Sequence, residues 1–424
     1  MLNDLKINNS FKLTKFACYA AYFTMASVFC VPPMLFMTFR EMYGISYTML
    51  GSLVLTNFVT QLAVDLIFTL FAKHFNTALT VRVMPILTAM GLVIYALSPT
   101  LFPNATYVGL FIGTVIFSVS AGLSEVLLSP TIAAIPSENP QRDMSLLHSL
   151  YAFGVFTIVL LSSLFLRLAG RERWALLVFL LAALPLIPAL LFMISPMPDM
   201  ASGGKSEIKR NASGRKRMIA TALCVLCIFL GSCAENTMSN WISGYMETAL
   251  GIDKALGDIL GVAMFAVLLG IARISYAKFG GDISKVLLIG MCGAAVCYLT
   301  VGLTDSRILA FTACVFTGLF TSMLWPGTLI MMEEKIPGAG VTAFALMAAG
   351  GDLGASFAPQ MLGIITDKVT VSAFAAELGT SLGLSAEQIG LKSGMLISAI
   401  YPILGAVLVT VIMRYFKKHG ADIK

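Results

Sequence analysis

Ser232-Cys-Ala-Glu-Asn-Thr-Met-Ser-Asn-Trp241 places one carboxylate and two amides inside a run that is otherwise apolar enough to cross a bilayer. An acidic side chain near the centre of a lipid-spanning helix costs about 2.5–3.5 kcal/mol on insertion scales, so it normally faces a wet cavity or a partner. Glu235 and Ser239 are four positions apart, as are Asn236 and Asn240, so on a helix these side chains cover adjoining stripes of one face. Such a polar stripe lines a pathway.

The rest of the chain supports that reading. Of its 424 residues 58% are hydrophobic and 12% charged, against about 25% charged in a soluble domain. A net charge of +6 could indicate nucleic acid, but the Lys and Arg residues fall in short clusters between apolar runs, without a basic face carrying base-stacking aromatics. The charge therefore reads as membrane topology. Cys224, Cys227 and Cys233 share one apolar helix, where a metal would need ligands converging in a dry span, so they read as packing residues and no metal site is expected. Residues 1–15 are polar and basic, and no small-residue cleavage site follows the first apolar run, so that run is expected to be kept as a span.

A crossing helix needs about 20 mostly apolar residues. Twelve runs qualify: 16–39, 46–72, 83–102, 107–135, 144–166, 174–195, 218–245, 256–277, 286–304, 308–332, 339–366 and 393–413. Between the sixth and seventh lies 196–217, with six cations among Gly and Ser, which reads as a flexible cytoplasmic linker between an N-terminal bundle (1–195) and a C-terminal bundle (218–424). With the N-terminus inside, nineteen Lys and Arg fall in inner segments and eight in outer ones. This bias predicts both termini in the cytoplasm.

The two bundles also share sequence. Gly122-Leu123, Leu128 and Pro130 of the fourth run recur as Gly318-Leu319, Leu324 and Pro326 of the tenth, at a constant offset close to half the chain. Parallel six-helix repeats predict this, with chance likeness of two apolar helices as the competing reading. In the outer segment after the eleventh run, 373–384 reads as a short amphipathic helix lying on the membrane interface.

Twelve spans, a basic central linker and half-chain self-similarity together resemble the major facilitator superfamily over essentially the whole chain. The stretches Gly122-Leu-Ser-Glu-Val-Leu-Leu-Ser-Pro130, Leu147-His-Ser-Leu-Tyr-Ala-Phe-Gly154 and Ala234-Glu-Asn-Thr-Met-Ser-Asn-Trp241 resemble its fucose-permease-like sugar branch. The loop from Phe71 to Arg82 departs from the superfamily's Gly-x-x-x-Asp-Arg-x-Gly-Arg signature, having neither the Gly nor the loop Asp. The resemblance implies an all-α integral membrane protein, two six-helix halves related by pseudo-twofold symmetry, with spans 1, 4, 7 and 10 around a central cavity. Spans 2, 5, 8 and 11 would meet across the halves, and 3, 6, 9 and 12 would support from outside. The sequence agrees: the ionisable groups counted inside spans, Asp65, Glu125, His148, Glu235, Arg273 and Asp352, all avoid the support helices.

At about 1.5 Å rise per residue, Glu125 lies about 16 Å from the cytoplasmic end, Asp352 about 18–20 Å and Glu235 about 25 Å. Glu125 and Glu235 are expected to bind substrate and protons. Asp352, in Gly350-Gly-Asp-Leu-Gly354, is a third proton candidate, with a structural hydrogen bond between close-packed helices as its rival. Asn236, Ser239, Asn240, Thr321 and Ser322 would read a polar solute, with Asn57 and Gln61 as further donors. Trp325 could stack on a sugar ring, and Trp241 is either a second such platform or an interfacial anchor. Asp65, His148 and Arg273 come out shallower, about 7–11 Å deep, and are expected to form a cytoplasmic gate; the alternative for Arg273 is snorkelling to the inner headgroups.

The reading that follows is a plasma-membrane transporter that couples uptake of a small polar solute, such as a sugar, to protons by alternating access. Its partners would be that solute, protons and membrane lipid; it would act as a monomer, with no cofactor and no nucleic acid. The alternative is proton-driven efflux of a drug-like or cationic molecule, because carboxylates dominate the intramembrane charge. No enzyme is expected: no loop carries a metal cluster, a phosphate-cradling Gly loop or a Ser-His-Asp spacing, and His74, His148 and His419 are far apart in the chain.

Overall fold

The computed structural model describes residues 11–71, 74–138, 140–198, 214–336 and 340–423. The chain is all-helical and has the expected fold of two six-helix halves. Among the described residues, eleven helices are long and apolar enough to cross a bilayer. The remaining span of the twelve is the 31-residue helix Gly340–Thr370, amply long at about 1.5 Å per residue but diluted by Gly, Asp352, Gln360 and Asp367. Residues 199–213 of the expected linker lie outside the described residues.

Spans 1 to 5 are Lys12–Tyr43, Tyr47–Phe71, Thr77–Leu101, Thr106–Ala134 and Pro140–Ala169, and span 6 covers Trp174–Ala183 and Leu186–Ile194. Span 7 is Arg215–Gly244, continued by a wider π turn at Tyr245–Ala249; span 8 runs over 254–279 and includes a second π segment at Gly257–Ala263. Span 9 is Ile283–Leu303, span 11 is Gly340–Thr370, and span 12 covers Ala386–Ser398 and Ile400–Ile423. The short outer helix is present as Ala373–Leu382, started by the Ser372 hydroxyl and ended by Gly383 in the left-handed region. Span 12 begins earlier than expected because Ser385 and Gln388 form a reciprocal capping box, a signal readable in the sequence as Ser-x-x-Gln. The longer span brings Glu387 and Lys392 into a helix expected to carry no charge, and Arg82 likewise falls inside span 3.

Span 10 is broken. Its first helix is Arg307–Thr321 and its second Leu324–Lys335, with Ser322 and Met323 between. Pro326 explains the break: it has no N–H to give to the carbonyl four residues back, which is that of Ser322.

By contact, the chain divides into one unit of Met1–Gly44 with Thr56–Ser206 and another of Ile45–Leu55 with Glu207–Lys424. The head of span 2 is therefore grouped with the C-terminal unit. Each unit repeats the same close approaches. Gly122 of span 4 lies against Gln61 and Val64 of span 2, and Gly318 of span 10 lies against Phe265 of span 8. Gly154 of span 5 sits on the Phe23 carbonyl of span 1, while Gly354 of span 11 sits on the Phe229 carbonyl of span 7. A Cβ at any of the four would collide with the neighbouring helix or force it aside, so the glycines are what allow these helices to touch backbone to backbone.

At the start of span 5, Asp143 takes an ion pair from Lys15 at 2.5 Å and hydrogen bonds from the Ser137 and Tyr19 hydroxyls. Burial works against its charge, but Lys15 and the two hydroxyls more than offset that and hold the carboxyl below the usual carboxylate range. A depressed folded value stabilises the fold above the unfolded pKa, and the gain is lost as pH falls through the folded one. Asp143→Asn is therefore expected to be less stable than the parent at pH 7, with the difference closing below about pH 4; denaturation midpoints across a pH series measure it.

Candidate functional site

In the C-terminal unit the polar stripe of span 7 meets spans 8 and 10. Glu235 Oε1 lies 3.5 Å from Arg273 Nη2, while its Oε2 is buried with no hydrogen-bond partner among the described residues. Arg273 Nε donates to the Ser322 carbonyl at 2.9 Å, the oxygen that Pro326 leaves without its helical partner. One arginine thus joins a backbone acceptor on span 10 to a carboxylate on span 7. Arg273 is 42% exposed and Glu235 19%, so the pair is solvated on the arginine side.

Depth counting puts Glu235 and Arg273 in separate layers. Their pairing corrects this: counting along a helix axis neglects tilt and the reach of a long side chain. Asp352 is half-buried on span 11, beside Gly351, which leaves room for the Trp325 ring lying against it. Trp325 is half-buried.

Other members of the expected solute set are hydrogen-bonded back onto their own helices. Asn236 Nδ2 donates to the carbonyl and hydroxyl of Ser232, the Ser239 hydroxyl to the Asn236 carbonyl, and Asn240 Nδ2 to the same carbonyl at 2.8 Å. Their amide oxygens and the Ser239 lone pairs are the atoms left for a solute. Thr321 and Ser322 are buried, with hydroxyls donated to Thr317 and Leu319 carbonyls. Trp241 is fully buried; its indole N–H donates to the Pro359 carbonyl at 3.0 Å and its ring packs on Tyr47. The structure therefore places Trp241 in helix packing rather than on a solute-facing wall or at the interface.

In the N-terminal unit Glu125 is exposed on span 4, with Tyr22 of span 1 and Asp65 of span 2 within electrostatic range. Asn57 and Gln61 are buried and mutually bonded: Gln61 Nε2 donates to Asn57 Oδ1 at 3.0 Å, and the Ser118 hydroxyl donates to the same oxygen at 2.6 Å. The third residue of the expected gate, His148, has a side chain outside the described residues.

The sequence reading missed one buried cluster. Lys254 Nζ lies 2.8 Å from the Ser243 hydroxyl, 3.1 Å from Asp258 Oδ2 and 3.8 Å from Glu247. Asp258 falls inside the expected eighth span, and Lys254 lies just ahead of it. Their i, i+4 spacing was the available signal. No group of three or more metal-ligating side chains occurs among the described residues.

Comparison with known proteins places this geometry. The profile of the Major Facilitator Superfamily matches residues 17–359. No curated protein sequence matches the chain. Among solved structures, a bacterial homolog of the human lysosomal transporter Spinster, inward-facing and occupied, matches at 15% identity and TM-score 0.74, over 96% of this chain and 98% of that one. A D-xylose–proton symporter matches at 14% identity and TM-score 0.72, over 93% and 97%. The E. coli fucose:proton symporter matches at 15% identity and TM-score 0.58, over 95% and 99%. At these identities the likeness is one of fold.

Proposed function

We infer that this chain, which belongs to the Major Facilitator Superfamily, works as a proton-coupled importer of a small polar solute of the sugar class. That it is a multi-pass membrane transporter and not an enzyme follows from the family; solute and coupling ion are the inference. The observation that carries it is the Glu235–Arg273–Ser322 arrangement, with the half-buried Trp325 three residues on from Ser322 in the broken span 10. A carboxylate paired with an arginine on one side and left bare on the other can take a proton, and the indole offers a flat apolar face to a ring.

Two of the fold neighbours are described as proton symporters of sugars, which supports this class over a drug-like cation. A bound arginine beside the acid also favours a neutral or hydroxyl-rich solute over a cationic one. Glu125 is the second proton candidate. Both termini would lie in the cytoplasm, in the plasma membrane, with the monomer as the working unit.

The test is counterflow and gradient-driven uptake in vesicles of purified protein, using labelled D-xylose, L-fucose and a nucleoside. An inward proton gradient should raise accumulation, and Glu235→Gln and Glu125→Gln should each abolish the gradient response. Indifference to the gradient in the parent, with normal transport by both variants, would refute proton coupling. Accumulation of an organic cation instead, driven outward, would support the efflux reading.

A further inference from the structure

Spans 2 and 4 carry a polar ladder. Asn57 meets Ser118, and one turn on, Gln61 and Val64 meet Gly122. Numbers rise together along both helices, so the two run parallel. The next turn brings Asp65 level with Val126 and so next to Glu125, consistent with the electrostatic interaction between the two carboxyls. Gly122 sets the close approach that makes this possible, since a Cβ there would press on Gln61 and Val64.

Charge balance in this unit differs from that around Glu235. Neither Asp65 nor Glu125 forms an ion pair among the described residues, and Asp65 Oδ1 is buried with no hydrogen-bond partner among them. Tyr22 of span 1 interacts with Glu125, and the Met84 and Thr88 side chains of span 3 reach Ser124 and Ser120 on span 4. None of these brings positive charge. The His148 side chain of span 5 lies outside the described residues. Two neighbouring carboxylates with no counter-ion among the described residues repel each other, and the half-buried Asp65 is the costlier of the two to keep ionised.

We propose that Asp65 and Glu125 are one proton-binding pair that shares a single proton, with Glu125 as its solvent-facing member and Asp65 as the shielded one. This rests on the reading of Glu125 as a proton-binding group and moves Asp65 from a gate to the coupling site. The pair takes the proton from water through the exposed carboxyl of Glu125 and holds it between two carboxylate oxygens. The Asn57–Gln61–Ser118 amide and hydroxyl groups continue the polar track along the helix.

The test uses the full chain carrying Glu235→Gln as its parent, so that the other proposed proton-binding carboxyl is silent, in lipid vesicles, with infrared difference spectroscopy between alkaline and neutral buffers reading the carbonyl stretch of a protonated carboxyl group. The parent should show this band at pH 7. Glu125→Gln should remove it, and Asp65→Asn should reduce it about tenfold, because Glu125 then no longer has a negative neighbour. Asp65→Ser is the second variant should the first fail to assemble, and thermal unfolding confirms that each variant is folded. If Glu125→Gln removes the band but both Asp65 variants leave it at full strength, the pair is overturned while Glu125 keeps its proton role. If the band survives Glu125→Gln, both readings fall. If exchanging choline for sodium at constant pH erases it, a metal cation occupies the site and the shared proton is overturned.

Discussion

Asp367→Ala is expected to lower the thermal midpoint of the purified protein by several degrees, with Asp367→Asn falling between it and the parent. The carboxylate of Asp367, near the end of span 11, accepts the backbone N–H of Tyr47 at 3.0 Å and of Thr48 at 2.6 Å. These are first-turn amides of span 2, which have no partner inside the helix. A carboxylate there satisfies two donors and also meets the positive end of the helix dipole, together worth about 2–4 kcal/mol. Asparagine keeps an acceptor but loses the charge. The surroundings reinforce the cap: Gly363 lies against the Tyr47 carbonyl, and Gly51 against Pro359 and Gln360. An unchanged midpoint in Asp367→Ala would mean that solvent replaces the carboxylate without cost, and that span 2 is held by packing alone.

The second large effect concerns Arg273 and Glu235. Removing Arg273 alone should harm the protein more than removing both charges, because Arg273→Gln leaves a largely buried carboxylate without its cation while Arg273→Gln with Glu235→Gln leaves two amides. For a fully buried pair the single loss costs about 3–5 kcal/mol. With Arg273 42% exposed, screening reduces the expected coupling to about 1–2 kcal/mol. That corresponds to roughly a tenfold change in an equilibrium constant. A double-mutant cycle on unfolding measures it, and strict additivity of the two single variants would show that the 3.5 Å contact contributes nothing to stability. Transport by the double variant should lose its response to pH.

Much of this architecture could be read from apolar run lengths, because a bilayer fixes how long a crossing helix must be. The half-chain repeat was equally legible, and its physical basis is now visible: Gly122 and Gly318 each bring the fourth helix of a half onto the second. Glu125 and Glu235 stood out because a carboxylate inside an apolar run demands an explanation. Side-chain direction could not be read in the same way. Trp241 sits four residues from Thr237 on the same apolar helix, and nothing in that spacing says that its N–H will be taken by Pro359. Spans 7 and 8 are joined through two π turns, which shift the helical phase and defeat a count of faces at a constant 3.6-residue period, although the i, i+4 spacing of Lys254 and Asp258 is readable there. Pro326 was noticed as part of a repeat, but its effect on the Ser322 carbonyl depends on an arginine arriving from another helix.

That carbonyl has a consequence for how the site responds to acid. A backbone oxygen has no proton to gain at physiological pH, so the grip of Ser322 on Arg273 Nε is the same whether Glu235 is neutral or ionised. Acidification would therefore not release the guanidinium: it would stay moored at one edge while its other nitrogens lose an anionic neighbour. A missing peptide hydrogen at Pro326 in this way fixes the position of a permanent positive charge, whose orientation the ambient pH cannot reset.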